Sequence, residues 1–225
     1  MTENKIMELL RNAEFFGSLS EASKNRADPV NAMFELTPRC NFLCNMCYVR
    51  LPADEVKTYG RELTAAEWIS VAEQARNMGV LSIGLTGGEP LLRADFGEIY
   101  EALAQMGFLI TLQTNCSMMT DGVMALLDRF PPYMIKTTLY GASDGAYEKV
   151  CGVKGGLTRV LDGIKKIQKA GIPLAAVATP PRWNNSAASR SSIWISSPVA
   201  VAMSTVDNGA ATMNFTPWWR AEIAS

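Results

Sequence analysis

The stretch Thr64–Pro90, TAAEWISVAEQARNMGVLSIGLTGGEP, contains a helix pattern, a strand pattern and a glycine-rich loop in direct succession. Thr64 and Glu67 have the spacing of a capping box, in which each side chain bonds to the backbone of the other residue. Apolar residues with helical spacing follow, namely Trp68, Val71, Ala72, Ala75 and Met78. Gly79 ends this pattern, and the apolar run Val80–Leu85 is typical of a buried strand. The stretch therefore predicts a helix that leads into a strand, with polar loop residues at the carboxyl end of that strand.

The same alternation of strands and helices extends in both directions from this stretch. Four further strands are predicted at Met33–Thr37, Phe108–Leu112, Tyr133–Leu139 and Pro173–Ala178. Further helices are predicted at Asp95–Met106, at Thr120–Arg129 and around the apolar stripe of residues 157–167, which ends before Gly171. Strands that alternate with helices predict right-handed βαβ units and a parallel sheet. The fold class is therefore α/β, and both a doubly wound sheet and a (β/α) barrel satisfy the pattern.

Composition excludes several classes of protein. The chain has 225 residues, 48% of them apolar, and a formal net charge of −1, so no basic excess indicates a nucleic-acid or anionic-membrane partner. Neither a leader-like start nor an apolar run of about 18 residues is found, so we expect no membrane association and a reducing compartment such as the cytoplasm. The chain contains no histidine, which excludes histidine-containing catalytic triads and histidine-ligated zinc.

Three segments are predicted along the chain. Residues 1–32 form an N-terminal extension in which Ile6, Leu9, Leu10 and Ala13 have helical spacing. Residues 33–180 carry the alternating pattern. Residues 181–225 are rich in serine and alanine and carry no convincing helix or strand pattern, so we expect an irregular tail. A sharper hypothesis is that this tail is a frame-shifted or otherwise non-native continuation, because the pattern stops directly after a good strand.

Three cysteines, Cys40, Cys44 and Cys47, lie within eight residues, directly after the first predicted strand. Thiolates at this spacing suit a metal ion or an iron–sulfur cluster. A fourth thiolate would have to come from Cys116 or Cys151, and neither belongs to a ligand-like motif. With three ligands, one iron stays open and can chelate a substrate. A structural zinc site would need a fourth nitrogen or sulfur ligand, and the simplest alternative is three small buried side chains.

Two motifs together resemble the radical S-adenosylmethionine (SAM) superfamily. The CxxxCxxC pattern of residues 40–47 follows the first strand, and Gly87–Pro90 stands after the second strand, where that family has its GGEP motif. The resemblance covers residues 33–178. The amino-acid sequence of residues 138–143, 152–153 and 159–161 is similar to that of the subgroup with C-terminal SPASM or twitch extensions. Many enzymes of this subgroup modify peptides or proteins.

The resemblance implies a partial (β/α)6 barrel of the TIM type. This chain has about four βα units and a fifth strand, so the barrel is incomplete, and the sixth strand is missing or altered after about residue 180. The cysteine loop, the GGEP segment and the polar residues Gln113 and Thr138 all come at the carboxyl ends of predicted strands. Active sites of α/β barrels lie at this end.

The resemblance also implies the roles of individual residues. Cys40, Cys44 and Cys47 would hold a [4Fe–4S] cluster, whose open iron would bind SAM through its amino and carboxylate groups. The residues implied in SAM binding are Tyr48 near the adenine, Gly87, Gly88, Glu89 and Pro90 at the ammonium, and Gln113, Thr114, Asn115 and Thr138 at the ribose and carboxylate. Cys116 stands where relatives have glycine, and Cys151 is interpreted as a small core residue.

The activity that the resemblance implies is the reductive cleavage of SAM to a 5′-deoxyadenosyl radical. The radical would abstract hydrogen from a peptide or small-molecule substrate, and an electron donor such as flavodoxin or ferredoxin would reduce the cluster. No residue that acts on the substrate is identified.

Two alternatives stay open. The first is an inactive, truncated core that binds a cluster without turnover, because no cysteine after Cys151 can build an auxiliary cluster. The second is a serine hydrolase, because Gly141–Gly145 matches the GxSxG pattern after a strand. The absence of histidine leaves Ser143 without its usual base, and Asp144 is expected to cap a helix instead.

Overall fold

The computed structural model describes residues 29–49, 51, 60–178, 191–197 and 200–205, and the single positions 14, 18 and 55. The chain divides into two compact units. Unit 1 comprises Met1–Asn41, Val49–Thr114 and Thr120–Met134. Unit 2 comprises Phe42–Tyr48, Asn115–Met119 and Ile135–Ser225.

The described part of unit 1 contains three parallel strands and three α-helices. The strands are β1 (Asn31–Glu35), β2 (Ser82–Thr86) and β3 (Leu109–Gln113), and β2 pairs with both of the others. The helices are α1 (Ala65–Asn77), α2 (Phe96–Gln105) and α3 (Asp121–Arg129). Side chains with almost no exposed surface form the core, among them Ile83, Leu85, Ile99, Tyr100, Leu103, Leu112 and Leu127.

Within its described residues, unit 2 combines two parallel strands with an antiparallel hairpin. The strand β4 (Met134–Leu139) begins at the last residue of unit 1 and pairs in parallel with β5 (Leu174–Ala178). The helices α4 (Asp144–Cys151) and α5 (Gly156–Lys169) lie between them in sequence. Then β6 (Ser191–Ser197) pairs antiparallel with β5, and β7 (Ala200–Thr205) pairs antiparallel with β6.

The predicted α/β class and the five predicted strands are confirmed, with bounds that differ by at most two residues. The capping box is also confirmed: the Thr64 hydroxyl accepts from Glu67 N at 3.3 Å, and Glu67 Oε2 accepts from Thr64 N at 2.9 Å. The local signals were strong at these places because caps and glycines fix helix ends through backbone geometry. Among the described residues, no helix is long and apolar enough to span a membrane.

Two expectations are wrong. The tail was expected to be irregular, yet it contributes β6 and β7. The segments SSIWISS and AVAMST carry the β-branched and aromatic residues that favour strands, and the low charge of the tail hid this signal. Because β6 runs antiparallel to β5, it is not the sixth parallel strand of a barrel. In addition, Ser143 rather than Asp144 is the N-cap of α4. The predicted N-terminal helix lies outside the described residues.

Candidate functional site

In unit 1, the GGEP segment lies directly against the backbone that leads from β1 to the first cysteine. Gly88 N donates to Thr37 O at 2.7 Å, and Glu89 N donates to Arg39 O at 2.8 Å. A Cβ on Gly87 would stand 2.4 Å from Thr37 O, and a Cβ on Gly88 would stand 2.3 Å from Arg39 O. Gly87 also has φ +143°, which side chains rarely adopt. Both glycines are therefore required for the close approach of the two backbones.

The Glu89 carboxylate is fully buried and holds the same loop from inside. Its Oε1 accepts from Thr114 Oγ1 at 2.8 Å and from Leu91 N at 3.1 Å. Glu89 thereby caps the short 3-10 helix Pro90–Leu92. Because Thr114 directly follows β3, this carboxylate links the carboxyl ends of β2 and β3. A structural role thus stands beside the predicted role of Glu89 in binding SAM.

An ion pair fixes the residue that precedes Cys40. Arg39 donates through Nε and Nη2 to the two carboxylate oxygens of Glu62, each at 2.8 Å, and Thr37 Oγ1 donates to Glu62 Oε1 at 2.5 Å. Partial burial acts to raise the pKa of Glu62, but the hydrogen bonds from Arg39 and Thr37 outweigh it and lower the pKa below its usual value. Glu62 is therefore held in its charged form, and its hydrogen bond raises the pKa of Arg39.

Arg93, three residues beyond the GGEP segment, forms a buried counterpart to this pair. Its side chain is 4% exposed and binds both carboxylate oxygens of Asp95, at 2.9 and 2.7 Å. It also donates to Leu36 O and Leu63 O, each at 2.8 Å. A buried guanidinium is tolerated when its donors are satisfied in this way. Arg93 therefore ties the end of β1 to the start of α1.

In unit 2, the loop that carries Cys44 and Cys47 is bound to the last turn of α4. Leu43 N donates to Cys151 O at 2.8 Å and Asn45 N donates to Val150 O at 3.0 Å. The Asn45 side-chain amide donates to Lys149 O at 3.0 Å. We call these three bonds the α4 anchor. The last carbonyls of a helix receive no hydrogen bond from within the helix. Here they accept hydrogen bonds from the cysteine loop.

Glycine and aromatic residues complete the support of this loop. Gly152 ends α4 with φ +66°, and a Cβ there would stand 2.8 Å from Leu43 Cβ. Phe42 and Tyr147 are both buried and meet edge to face with ring centroids 6.1 Å apart. The Arg159 guanidinium lies over the Phe42 ring, 5.7 Å from the ring centroid. The loop therefore packs against buried aromatic side chains.

Two tyrosines lie beside Thr138, which is predicted to bind SAM. Tyr147 OH donates to Thr138 O at 3.5 Å, and the Tyr140 and Tyr147 rings are 6.3 Å apart. Burial, followed by the negative charge of Cys44, raises the pKa of Tyr140 to about 12, although a hydrogen bond with Thr138 opposes the shift. Burial likewise raises the pKa of Tyr147. Both phenols therefore stay neutral at physiological pH.

The other residues that are predicted to bind SAM lie in different surroundings. In unit 1, the half-exposed Gln113 donates through its amide to Met33 Sδ at 3.5 Å. In unit 2, Asn115 Oδ1 accepts from Ser117 N at 2.9 Å and from Ser117 Oγ at 2.6 Å, which fixes its rotamer. Tyr48 is 91% exposed, so its side chain does not pack in the core.

The five cysteines differ in accessibility. Cys40 and Cys44 are half-buried and Cys47 is exposed, whereas Cys116 and Cys151 have no exposed surface. Cys116 has φ +62°, which agrees with the glycine expected at that position. Within the described residues, no three cysteine or carboxylate side chains are gathered as a metal site. The donor set fits an iron–sulfur cluster by its chemistry, since the three accessible thiols are those of the CxxxCxxC pattern.

Several residues of this region were not identified from the sequence. Glu62 and Arg93 act across 23 and 57 residues of sequence, to Arg39 and to Leu36 O, and no local pattern marks such contacts. Asn45 and Gly152 had a weak signal, because a polar residue between two cysteines and a glycine after a helix both favour backbone contacts. Ser143 Oγ accepts from Ala146 N at 3.3 Å, so the serine of the GxSxG match serves as a helix cap.

The comparison with protein families identifies the chain. Residues 34–184 match the family described as the radical SAM superfamily. The chain belongs to this superfamily. This match confirms the family membership and the fold class that were expected. Radical SAM proteins use a [4Fe–4S] cluster and SAM.

Among curated relatives, the radical SAM chain is similar to the PqqA peptide cyclases of Gluconobacter oxydans, 30% identical over 65% of this chain, and Rhizobium meliloti, 31% identical over 69%. It is also similar to the sporulation killing factor maturation protein SkfB of Bacillus subtilis, 29% identical over 67% of this chain. The matched parts are 40%, 41% and 36% of these relatives, so the chain spans about two fifths of their length.

Solved structures share the fold. Streptococcus suis SuiB bound to SAM has a TM-score of 0.55 at 20% identity, and SuiB bound to its precursor peptide SuiA has a TM-score of 0.58 at 19% identity. Each comparison covers 74% of this chain and 36% of SuiB. The radical SAM core fold, a partial TIM-like α/β arrangement, is therefore present.

Proposed function

We propose that the protein is a radical SAM enzyme in which Cys40, Cys44 and Cys47 hold a [4Fe–4S] cluster. The observation that supports this most is the contrast among the cysteines. The three cysteines of the motif are accessible, and the two outside it are fully buried. Iron–sulfur clusters are held by cysteine thiolates, and a reducing compartment such as the cytoplasm would keep these thiols available.

The protein residues have defined tasks in this proposal. When bound, the cluster supplies the single electron that cleaves the sulfonium bond of SAM and releases the 5′-deoxyadenosyl radical. The Arg39–Glu62 pair and the GGEP backbone fix the backbone that precedes Cys40. The α4 anchor fixes the loop that carries Cys44 and Cys47. Hydrogen-bonded supports of this kind set the position and the polarity that a cofactor reaction needs.

SAM binding is proposed at residues on the carboxyl ends of the strands. The residues assigned to it are Tyr48, Gly87, Gly88, Glu89, Pro90, Gln113, Thr114, Asn115 and Thr138. Tyr48 is exposed and can stack on an adenine, and Asn115 is already held in one rotamer by Ser117. The ammonium of SAM would be bound by backbone carbonyls of the GGEP segment and by the Glu89 carboxylate.

A peptide is the proposed substrate class. The named relatives include peptide cyclases, and SuiB binds a precursor peptide. Residues 33–180 are proposed as the functional core. A low-potential electron carrier such as flavodoxin or ferredoxin is the proposed source of the electron.

The test is an anaerobic assay of 5′-deoxyadenosine. The chain is reconstituted with iron and sulfide, reduced with dithionite and incubated with SAM. We expect one cluster per chain and formation of 5′-deoxyadenosine, both lost in Cys44→Ala. Cys116→Ala and Cys151→Ala serve as matched controls that keep both.

Two results would contradict the proposal. A chain that binds a cluster but never cleaves SAM would favour the inactive core. A chain in which Cys116→Ala or Cys151→Ala loses the cluster as completely as Cys44→Ala would show that the ligand set is wrong.

A further inference from the structure

The two units carry opposite charge. Over residues 29–41, 60–114 and 120–134, unit 1 has ten acidic and five basic side chains. Over residues 42–48, 115–119 and 135–178, unit 2 has seven basic and three acidic side chains. The whole chain is almost neutral, so its average composition hides this separation. A surface of one sign attracts partners of the other sign and speeds their association.

Part of the positive charge lies on α4, on α5 and on the turn between these two helices, both of which contact the cysteine loop. Lys149, Lys154 and Arg159 are all exposed, and we call them the basic rim. Lys149 supplies a carbonyl of the α4 anchor, and Arg159 lies over Phe42. Among the described residues, neither the Lys149 nor the Lys154 ammonium has an ion-pair partner. The nearby acids are Asp144, which binds Thr158, and the half-buried Glu148.

Apolar side chains of the same loop are exposed beside this rim. Leu43 is 46% exposed and Met46 is 48% exposed. Exposed apolar residues surrounded by charged ones are typical of protein interfaces. Electron-transfer complexes form the smallest class of interfaces, below about 1,200 Å² in total, so such a partner needs only a small contact surface.

We propose that the basic rim is the docking surface for an acidic one-electron carrier protein. This inference rests on the proposed function, in which one electron must reach the loop of Cys44 and Cys47 for each SAM cleaved. The carrier is oxidised by one electron and the bound cluster is reduced by one. Charge complementarity selects an acidic carrier, and the position of the rim next to the α4 anchor places that carrier beside the loop where the electron is needed.

The test compares charge reversal near the loop with charge reversal far from it. The variant is Lys149→Glu/Lys154→Glu. The matched control is Lys165→Glu/Lys169→Glu, which makes the same change of charge in the last two turns of α5, about 9 Å and about 15 Å along the helix from Arg159. Lys165 and Lys169 are exposed. The probe is a purified acidic flavodoxin in its hydroquinone state.

Two measurements separate docking from chemistry. Affinity of the oxidised flavodoxin for the full chain is measured by calorimetry at low and at high salt. The rate of 5′-deoxyadenosine formation is measured with flavodoxin and, separately, with dithionite, which needs no docking surface. We expect the variant to lose about tenfold or more in affinity and in flavodoxin-driven rate at low salt, with the dithionite-driven rate and the control variant unchanged.

Three results would overturn the proposal. The first is equal flavodoxin affinity for the variant and wild type. The second is an equal loss in the control variant, which would indicate general charge attraction. The third is an unchanged flavodoxin rate with weaker binding of an acidic substrate peptide or of nucleic acid, which would assign the rim to that partner. Failure of the wild type with dithionite would instead contradict the proposed function.

Discussion

The two units hold neighbouring parts of one cysteine loop by different means. In unit 1, the backbone before Cys40 is held by the GGEP glycines and by the Arg39–Glu62 ion pair. In unit 2, the backbone around Cys44 is held by the last carbonyls of α4. The first support depends on two glycines without side chains and on paired charges. The second depends on a helix end and a buried aromatic pair.

This difference indicates where substitutions are costly. A backbone-to-backbone approach leaves no room for even one carbon, whereas a helix end that binds through carbonyls tolerates most side-chain changes in the helix. The GGEP glycines are therefore expected to be the most sensitive positions, followed by Gly152, by Asn45 and by exposed ion pairs. Four substitution experiments test this order.

Gly88→Ala is expected to have the largest effect. Its Cβ would stand 2.3 Å from Arg39 O, an atom of the backbone that cannot move without displacing the loop. We expect a loss of about 3 kcal/mol or more in the free energy of unfolding, and loss of the cluster. The matched control is Gly97→Ala in α2, where the nearest atom is 3.9 Å away. That change is expected to stabilise the protein by about 0.5–1 kcal/mol, as measured by urea unfolding.

Gly152→Ala is expected to have the next largest effect. The new Cβ would meet Leu43 Cβ at 2.8 Å and occupy a left-handed conformation. Gly171→Ala has the same φ of +66° with no atom within 4 Å, so it measures the conformational cost alone, about 1–2 kcal/mol. We expect Gly152→Ala to cost about 1–3 kcal/mol more than this control, from overpacking. Equal costs would show that Leu43 does not need this space.

Asn45→Ala tests the side-chain bond of the α4 anchor. Loss of the bond to Lys149 O should cost about 1 kcal/mol and speed iron release to a chelator. Asn45→Asp should be worse than Asn45→Ala, because a carboxylate oxygen would replace the amide donor opposite a carbonyl. Gln168→Ala, at an exposed position of α5, is the control. An Asp variant as stable as the Ala variant would contradict this bond.

Glu67→Gln is expected to have the smallest effect, and it depends on pH. The hydrogen bond from Arg61, followed by those from Thr64, lowers the pKa of Glu67 to about 2. The folded state therefore gains from the charged form above the unfolded pKa of about 4.3, and this gain is lost as the pH falls toward 2. Thermal unfolding measures the stability difference between wild type and variant. This difference should be present at pH 6 and vanish near pH 2. A difference that does not change with pH would contradict the charge pairing.

The sequence predicted the local structure of unit 1 well and the tail poorly. The capping box at Thr64 and the glycines at helix ends act through contacts a few residues apart, so their patterns are visible in the chain. The bonds of Glu62 to Arg39 and of Asn45 to Lys149 span 23 and 104 residues. They depend on how elements meet, which no local pattern encodes. The strands β6 and β7 were missed because few charges alternate with their apolar residues, so the period-two pattern was weak.

The candidate site was predicted as a set of types and positions rather than as an arrangement. The cysteine spacing and the GGEP motif selected the residues to consider, and burial then separated the accessible thiols from Cys116 and Cys151. The structural role of Glu89 could not be predicted, because its bond to Thr114 joins two strand ends that are 25 residues apart.

The central claim is that three motif cysteines hold a cluster with one open iron for SAM, and an electron paramagnetic resonance titration tests it most directly. The chain is reconstituted anaerobically, reduced with dithionite and measured without and with SAM. The account predicts about four irons per chain and a signal of the reduced cluster whose shape changes when SAM is added. A reconstituted chain without iron, or a cluster signal that SAM leaves unchanged at saturating concentration, would contradict it.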